Sequence, residues 1–291
     1  MSGAVAVARY TLIELSRRRV LLVFLVIGAV GIALLGIGLK VLYQVLASNP
    51  GSAGANVDPA ALDSFLELLF VSYLFQAVSI FGLLIAYGIG MTAIYHDLES
   101  GTAVSIFSKP VSRLAFSAGK VVAAVVALVA IVGILAVEAR IVMLLFGGGL
   151  ENALTGQVAA VVANVVVIML IVLALSAWMN NILAAVVAFI YYNVVSGLIT
   201  TIHLLADSGV LGNAIVKSTF DVLYWLVPHQ LVSGAVRELA ERQLALANGP
   251  VDSQTLASIP AASGWGDIAW WAFTVVFFAT FLYWAVRRRQ V

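Results

Sequence analysis

The residue types that support catalysis or metal binding are few in this chain and are not arranged as catalytic motifs. There is no cysteine, which excludes a disulfide framework, an iron–sulfur cluster and a thiolate nucleophile. The three histidines, His96, His203 and His229, are scattered along the sequence and no H-E-x-x-H pair occurs, so we expect no zinc site. No G-x-S-x-G turn marks a hydrolase nucleophile. The sequence therefore predicts a chain that is not an enzyme and holds no metal.

Nucleotide hydrolysis is not predicted for this chain either. A P-loop requires G-x-x-x-x-G-K followed by Ser or Thr. The one Gly-Lys pair, Gly119-Lys120, is followed by Val121 and lacks the upstream glycine. We therefore expect no ATP or magnesium site in this chain.

Four polar residues lie within long apolar stretches. In such a position a polar side chain can contact a substrate. Glu138 and Arg140 lie in a segment where a charge costs about 2.5–3.5 kcal/mol or more unless it is paired or hydrated. Two residues apart, they point to different sides of a helix, so each requires its own partner. They either line an outward vestibule or lie at the interface because the helix ends early. Gln76 and Asn193 are either contacts between helices or contacts with substrate.

The composition identifies the class of protein that carries these residues. Of the 291 residues, 63% are hydrophobic and 10% are charged, whereas a soluble domain has roughly a quarter of its residues charged. The mean hydropathy is +1.10. These values exclude a soluble globular protein. The net charge of only +1 lacks the basic excess of nucleic-acid-binding proteins, so we expect no nucleic-acid partner.

Stretches without charge predict six membrane spans, because a helix needs roughly 20 apolar residues to cross the bilayer core. The chain from Asn152 to Ala206 has no Asp, Glu, Lys or Arg over 55 residues and must fold back once, at the polar break from Ser176 to Asn181. The fold class is therefore an all-α polytopic membrane protein with one domain, 1–291. Its predicted parts are an interfacial N-terminal helix at 1–19, span 1 at 20–42, span 2 at 66–95, a cytoplasmic loop at 97–118, span 3 at 119–146, span 4 at 157–178, span 5 at 182–205, an external helical segment at 207–267 and span 6 at 268–286.

The distribution of positive charge predicts the orientation of these spans. Ten of the 15 lysines and arginines lie before span 1, between spans 2 and 3, or after span 6. Because Lys and Arg concentrate on the cytoplasmic side of a membrane, both termini and the loop at 97–118 are predicted to be cytoplasmic. An even number of spans agrees with this arrangement. We expect a multi-pass protein of the cell (plasma or inner) membrane.

Two further patterns predict how the helices pack. In the N-terminal helix, Val5, Ala8, Leu12 and Leu15 share one side at the helical period, which is typical of a helix that lies along the inner interface. Such a helix either moves with span 1 as an elbow or only anchors the chain. Span 2 carries a stripe of small residues, Gly82, Ala86 and Gly90, which serves either close packing within the chain or a dimer seam.

The loop between spans 2 and 3 carries the most specific signal. A short helix can begin at Gly101 and must end before Pro110, because the residue preceding a proline is pushed out of the α region. A second short helix over 111–118 then leads into span 3. Two short helices that project from a membrane domain form a docking element. The three motifs of the loop, in order, are Glu99-Ser100-Gly101-Thr102, Pro110-Val111-Ser112-Arg113 and Gly119-Lys120.

This loop resembles the cytoplasmic loop of the ABC-2 class of ATP-binding-cassette (ABC) transporter permeases. Members of that class show Glu-x-Gly-Thr, then a Pro-Val-Ser-Arg-like stretch, then a Gly-Lys that enters the third span, and the order and spacing here match. The stretch from Ala8 to Leu15, followed by Arg17, Arg18 and Arg19, is similar to the elbow helix of the class. The six-span layout matches as a whole, whereas the motif match is confined to these segments.

The resemblance implies a permease whose loop is a coupling helix, seated in a cleft of a separate ABC-type ATPase subunit. Two permease copies, most simply a homodimer, would form the translocation pathway, and most relatives are exporters. Charged residues of the loop would then steer the docking while apolar ones anchor it; an ordinary solvated loop is the alternative. The residues assigned to ATPase coupling are Glu99, Gly101, Thr102, Ile106, Phe107, Lys109, Pro110 and Arg113.

Two other classes of function are weighed against this one. A channel or secondary transporter works without ATP, but usually shows midplane charges or broken helices in two symmetric halves, and neither is evident in the sequence. An intramembrane enzyme is least favoured because no catalytic cluster is present. The sequence leaves the substrate, the direction of transport and the identity of the ATPase open.

Overall fold

The fold is all-α, as predicted, and six of its helices are long and apolar enough to cross a membrane. The computed structural model describes residues 3–48, 59–99, 108, 111–146, 153–207, 214–235, 237–238, 240–241 and 261–288. The candidate spans, numbered 1 to 6 in chain order, are Arg19–Leu42, Ser72–Glu99, Arg113–Leu145, Gly156–Ser176, Asn181–Ala206 and Trp265–Arg288. The chain is therefore a multi-pass membrane protein.

Several helices extend beyond these apolar stretches, and the described part of the chain also contains shorter helices. The N-terminal helix is Gly3–Ser16, the linker helix at the end of span 2 is Tyr95–Glu99, and the outer helix between spans 5 and 6 is Ala214–Tyr224. Span 5 consists of Asn181–Phe189, a π-helical segment Ile190–Ser196 and Gly197–Asp207. The helices of the other spans are Arg19–Ser48, Pro59–Thr92, Arg113–Phe146, Ala153–Ser176 and Trp265–Arg288.

The turn between spans 4 and 5 lies where the polar break predicts it. The span 4 helix ends at Ser176 and the next helix begins at Asn181. The side chain of Asn180 caps this helix by accepting a hydrogen bond from the backbone amide of Ile182 at 2.9 Å. Asparagine is a preferred N-cap because its amide oxygen satisfies an amide that has no partner within the helix.

The start of span 3 differs from the prediction. A separate short helix over 111–118 was expected, but one continuous helix runs from Arg113 to Phe146. Ser112 caps it, because its hydroxyl accepts a hydrogen bond from the amide of Ala115 at 3.1 Å. No proline follows within the helix to interrupt it. The predicted second docking helix is therefore the first two turns of span 3.

Span 4 forms the centre of the bundle. Every residue from Val165 to Ala174 is at most 7% exposed, which is typical of a helix that is apolar on all sides. Spans 2, 3, 5 and 6 pack around it, and span 1 lies outside them against spans 2 and 3. Span 1 therefore exposes most of its surface to the bilayer.

The small-residue stripe of span 2 packs within the chain, as one of the two readings expects. A Cβ on Gly90 would lie 2.7 Å from Cβ of Val172 and 3.1 Å from the carbonyl oxygen of Met169, both in span 4. A Cβ on Gly82 would lie 3.3 Å from side chains of Val132 and Val165. The stripe therefore lets span 2 approach spans 3 and 4 closely.

We predict that Gly90→Ala destabilises the protein and that Gly133→Ala does not. The added methyl of Gly90→Ala overlaps span 4, and overpacking of this kind costs about 1–3 kcal/mol. Gly133 is the matched control, because a Cβ there meets nothing within 4 Å and alanine favours helix formation by up to about 1 kcal/mol. Thermal unfolding in detergent measures both, and equal midpoints would contradict the close packing at Gly90.

Candidate functional site

Four charged side chains meet where the N-terminal helix crosses the start of span 3. These residues, Glu14, Arg18, Asp97 and Lys120, are called the N-terminal charge cluster. Nζ of Lys120 lies 2.5 Å from Oδ2 of Asp97 and 3.7 Å from Oε2 of Glu14, and Arg18 forms an ion pair with Glu14 one helical turn away. The Lys120 side chain is 0% exposed and that of Asp97 is 2% exposed. The cluster therefore joins the N-terminal helix, the linker helix and span 3.

A glycine allows this crossing. A Cβ on Gly119 would lie 2.7 Å from the carbonyl oxygen of Ala4 and 2.8 Å from Cβ of Val7. Because glycine has no side chain, the N-terminal helix lies directly on span 3 at this position. The following residue, Lys120, is then covered by that helix, and a buried ammonium requires a carboxylate partner.

The buried side of the N-terminal helix matches the apolar side predicted for it only in part. The helix buries Val7, Thr11 and Leu15, of which Leu15 belongs to the predicted side, whereas Val5 of that side is 50% exposed. The physical reason is that a bilayer surrounds the protein, so exposed aliphatic side chains incur no hydration cost. Polar residues of the helix turn inward instead, toward Lys120 and Asp97.

An aromatic residue completes the cluster. The ring of Tyr10 lies with its centre 5.8 Å from Nζ of Lys120, within cation–π range, and the ring of Phe116 lies at 5.9 Å. The pKa of Tyr10 is raised, first by burial and then by the carboxylates of Glu14 and Asp97. The two positive and two negative charges compensate each other in a site with little water.

Of the eight residues assigned to ATPase coupling, only Glu99 and Arg113 are described. Oε1 of Glu99 accepts a hydrogen bond from the hydroxyl of Tyr95 at 2.8 Å. Nη1 of Arg113 donates to the backbone carbonyl oxygen of Arg287 at 2.6 Å, at the end of span 6. Arg113 therefore also caps a helix C-terminus, a role that the sequence did not reveal. The assignments of Gly101, Thr102, Ile106, Phe107, Lys109 and Pro110 lie outside the described residues.

The N-terminal charge cluster was not selected from the sequence, although its members lie in or beside the motifs. Asp97 lies two residues before Glu99, and Lys120 closes the Gly-Lys pair. The sequence does contain a signal for this pair. Asp97 and Lys120 have opposite charges and lie on either side of the loop that joins spans 2 and 3, so the turn between those spans brings the two residues together.

We predict that removing one member of the buried pair is strongly destabilising. Lys120→Met leaves the carboxylate of Asp97 buried without its partner, which typically costs about 3–5 kcal/mol. The double variant Lys120→Met/Asp97→Leu removes both charges and should unfold at a higher temperature than Lys120→Met alone. Arg237→Met is the matched control, because Arg237 and Glu241 form an exposed pair 3.0 Å apart worth at most about 1 kcal/mol. Thermal unfolding measures the three variants. Equal unfolding temperatures for Lys120→Met and Arg237→Met would contradict the importance of the buried pair.

A second group of polar residues lies at bilayer depth on spans 2 and 5. Nδ2 of Asn193 donates a hydrogen bond to the hydroxyl of Tyr87 at 3.0 Å. Tyr73, which is 50% exposed, and Gln76, also exposed, lie on the same side of span 2 as Tyr87. The four residues are called the polar face. Asn193 thus forms the contact between helices that one reading expects, whereas Gln76 is directed away from the chain.

Span 5 is wound as a π-helix at the polar face. The segment Ile190–Ser196 includes Asn193, and the hydroxyl of Ser196 donates a hydrogen bond to the carbonyl oxygen of Pro228. Tyr192 is 1% exposed, and its hydroxyl has no hydrogen-bond partner among the described residues. Short π-helical segments occur frequently at functional sites, because the wider turn redirects side chains. Span 5 therefore deviates from regular geometry where its polar side chains are found.

Glu138 and Arg140 lie near the end of span 3 that is distant from the charge cluster. Both are partly exposed, and Arg140 has an interaction partner. No ion pair joins them, as their spacing predicts for residues on different sides of a helix. Both hypotheses for these residues, an outward vestibule or an interfacial position, stay predictions.

The structure brings together two histidines that look scattered in the sequence. The ring of Tyr224 is stacked between the rings of His203 and His229, with centres 4.3 Å and 3.9 Å away. Trp225 packs edge-on against both Tyr224 and His229. His203, Tyr224, Trp225 and His229 are called the aromatic cluster. It joins the end of span 5 to the end of the outer helix, on the side of the membrane opposite the charge cluster.

A carboxylate at the start of span 6 closes this arrangement. Oδ1 of Asp267 lies 3.1 Å from the hydroxyl of Tyr224 and 3.3 Å from Nε2 of His229, and Oδ2 accepts a hydrogen bond from the amide of Gly264 at 2.8 Å. Nδ1 of His203 lies 3.0 Å from Oδ1 of a second carboxylate, Asp221. Among the described residues no group of three possible metal ligands is close enough to hold an ion. We interpret the cluster as a structural clamp on the outer helix.

Opposing effects act on the pKa of His229. Its Nδ1 lies 3.3 Å from the carbonyl oxygen of Tyr224, and its Nε2 faces Asp267. Because a neutral imidazole has only one N–H, one of its two nitrogens directs a lone pair at one of these oxygen acceptors. Burial nevertheless lowers the pKa of His229, and this outweighs the hydrogen bonds and the Asp267 charge that raise it. The pKa of Tyr224 is raised, first by burial and then by Asp267.

We predict that the aromatic cluster loosens at acid pH. Because the pKa of folded His229 is lowered, the unfolded chain binds more protons once the pH falls below about 6.5. The contribution of His229 to stability is complete above that pH and is lost as the pH falls through the lower pKa of the folded state. His229→Gln removes the titration, so its unfolding temperature should decline less between pH 7 and pH 5 than that of the wild-type chain. An equal decline of the unfolding temperature in the variant and the wild-type chain would contradict this role of His229.

Comparison with known proteins does not identify a family. No family model matches the sequence, and no curated protein matches it significantly.

Proposed function

We propose that this chain is the membrane-spanning permease subunit of an ABC transporter of the ABC-2 class. It works as a homodimer with a separate ATPase subunit that binds ATP and magnesium, and it exports its substrate. The chain itself is not an enzyme. Both termini and the loop between spans 2 and 3 lie in the cytoplasm, and the protein resides in the cell membrane. The resemblance of the loop motifs is the sequence argument for this function.

The N-terminal charge cluster is the observation that carries the proposal. A coupling loop is useful only if its displacement moves the spans rather than bending the loop. Here the residues on both sides of the loop are joined by a buried ion pair, Asp97 to Lys120, and Glu14 brings in the N-terminal helix. A push on the loop is therefore delivered to spans 2 and 3 and to the elbow together.

The polar face supports a pathway formed by two copies. Gln76 and Tyr73 are exposed at bilayer depth, where polar groups normally face protein or water. A second copy placed against spans 2 and 5 covers this face or encloses a hydrated passage along it. The π-helical segment then presents Asn193 to that passage, beside Tyr87 of span 2.

The π-helical segment also favours the second candidate, a channel or carrier that works without ATP. Many secondary transporters place irregular helices near the bilayer midplane at their binding sites. Span 5 shows such a segment, Ile190–Ser196. This candidate accounts for the polar face but assigns no task to the loop motifs.

The decisive experiment is affinity purification from detergent-solubilised native membranes, with identification of the proteins that co-purify. We expect a stoichiometric protein with a P-loop, which is lost when residues 99–113 are replaced by a flexible linker. Replacement of the outer helix, residues 214–224, is the matched control and should leave the partner bound. A folded chain that purifies alone would contradict the ABC permease and favour the channel or carrier.

We further predict that Glu99→Ala and Gly101→Trp impair substrate-stimulated ATPase activity of the complex without impairing membrane insertion. The first removes a charge that steers docking, and the second fills the surface that the partner contacts. Glu238→Ala, an exposed change on the opposite side, is the control for charge removal. Wild-type ATPase stimulation in both loop variants would show that the loop does not couple the two subunits.

A further inference from the structure

An apolar groove lies beside the N-terminal charge cluster. It is a cavity of about 400 Å³ between the N-terminal helix, the first turn of span 1 and span 3. Ile13 and Ser16 line it from the N-terminal helix, Leu21 from span 1, and Ala130 from span 3. Its walls are almost entirely aliphatic, and it opens toward the bilayer.

Acyl chains alone give this groove no preference for a particular lipid. Any apolar cleft that faces the bilayer is filled by lipid tails, which are as apolar as the side chains that line it. A preference must therefore come from groups at the mouth of the groove that contact a headgroup.

Two exposed arginines lie in the chain between Ser16 and Leu21, which both line the groove. Arg17 and Arg19 are at the turn that joins the N-terminal helix to span 1. Both are exposed, and their guanidinium groups have no partner in the described parts of the chain. Arg18, between them, differs because it is partly buried and ion-paired with Glu14. A guanidinium group binds phosphate oxygens through two parallel hydrogen bonds.

We propose that this groove, with Arg17 and Arg19, is a binding site for an anionic phospholipid. One acyl chain lies along Ile13, Leu21 and Ala130, and the phosphate and the net negative charge of the headgroup lie between the two arginines. A zwitterionic phospholipid offers the same phosphate but no net charge to balance two cations. The charge of the site therefore selects the anionic lipid.

The occupant would brace the last turn of the N-terminal helix, next to the charge cluster. Leu15 and Ser16 line the groove, whereas Glu14 and Arg18 of the same turn belong to the charge cluster. Lipid in the groove thus limits movement of the helix away from spans 1 and 3. This inference goes beyond the proposed function, because it holds whether the chain is a permease, a channel or a carrier.

The test is lipid retention by the intact protein in nanodiscs of phosphatidylcholine, alone or mixed with phosphatidylglycerol. Native mass spectrometry counts the phosphatidylglycerol molecules that remain bound after gentle release. We expect phosphatidylglycerol to be enriched on the wild-type chain and to raise its unfolding temperature. Arg17→Gln/Arg19→Gln should weaken retention on the order of 30-fold, which corresponds to about 1 kcal/mol for each arginine near the membrane surface.

Two further variants separate a site from general attraction. Arg287→Gln removes an equally exposed arginine on the same side of the membrane but away from the groove, and should retain phosphatidylglycerol as the wild-type chain does. Ala130→Phe fills the groove while keeping both arginines and should lose the lipid, whereas Val137→Phe on the exposed surface of the same span should not. Equal loss in the Arg287→Gln variant, or full retention in the Ala130→Phe variant, would overturn the proposal.

Discussion

The bilayer inverts the usual rule for placing side chains, and most of the structure depends on this constraint. Aliphatic residues can face outward without cost, so the interior is available for small and polar groups. The N-terminal helix shows the effect within a few turns, since Val5 and Ile13 face outward while Glu14 and Thr11 face span 3. The same constraint gathers Lys120 and Asp97 at one end of the bundle and Tyr224 with its histidines at the other.

Close helix contacts and buried charges act together at the N-terminal side. Gly119 permits the N-terminal helix to approach span 3, and that approach removes Lys120 from solvent. Asp97 then becomes a structural necessity, because an unpaired buried ammonium is far more costly than the pair. The linker helix is held in turn by Asp97. Three elements that are separated in sequence are thus held together, which is the property that the proposed coupling mechanism requires.

The parts of the fold that the sequence predicted were those that depend on single segments. Span number and the turn at Asn180 follow from apolar length and from the capping preference of asparagine, and both are local properties. The aromatic cluster could not be predicted, since His203, Tyr224 and His229 meet only after span 5 and the outer helix fold back on each other. The buried side of the N-terminal helix matched its apolar pattern only in part, because Val7 and Thr11 are buried by contacts with span 3, which is distant in sequence.

The crossing at Gly119 also determines the order in which the protein can be assembled. The N-terminal helix leaves the ribosome before span 3, and its surface on span 3 is made only after roughly a hundred more residues, a delay of about 5–20 s at ordinary rates of synthesis. During that interval Glu14 and Arg18 have each other as partners, which keeps the helix neutral at this position while it waits at the membrane surface. The contact from Arg113 to the end of span 6 forms only after span 6 has been synthesised, so the start of span 3 waits for a partner that is made last among the six spans.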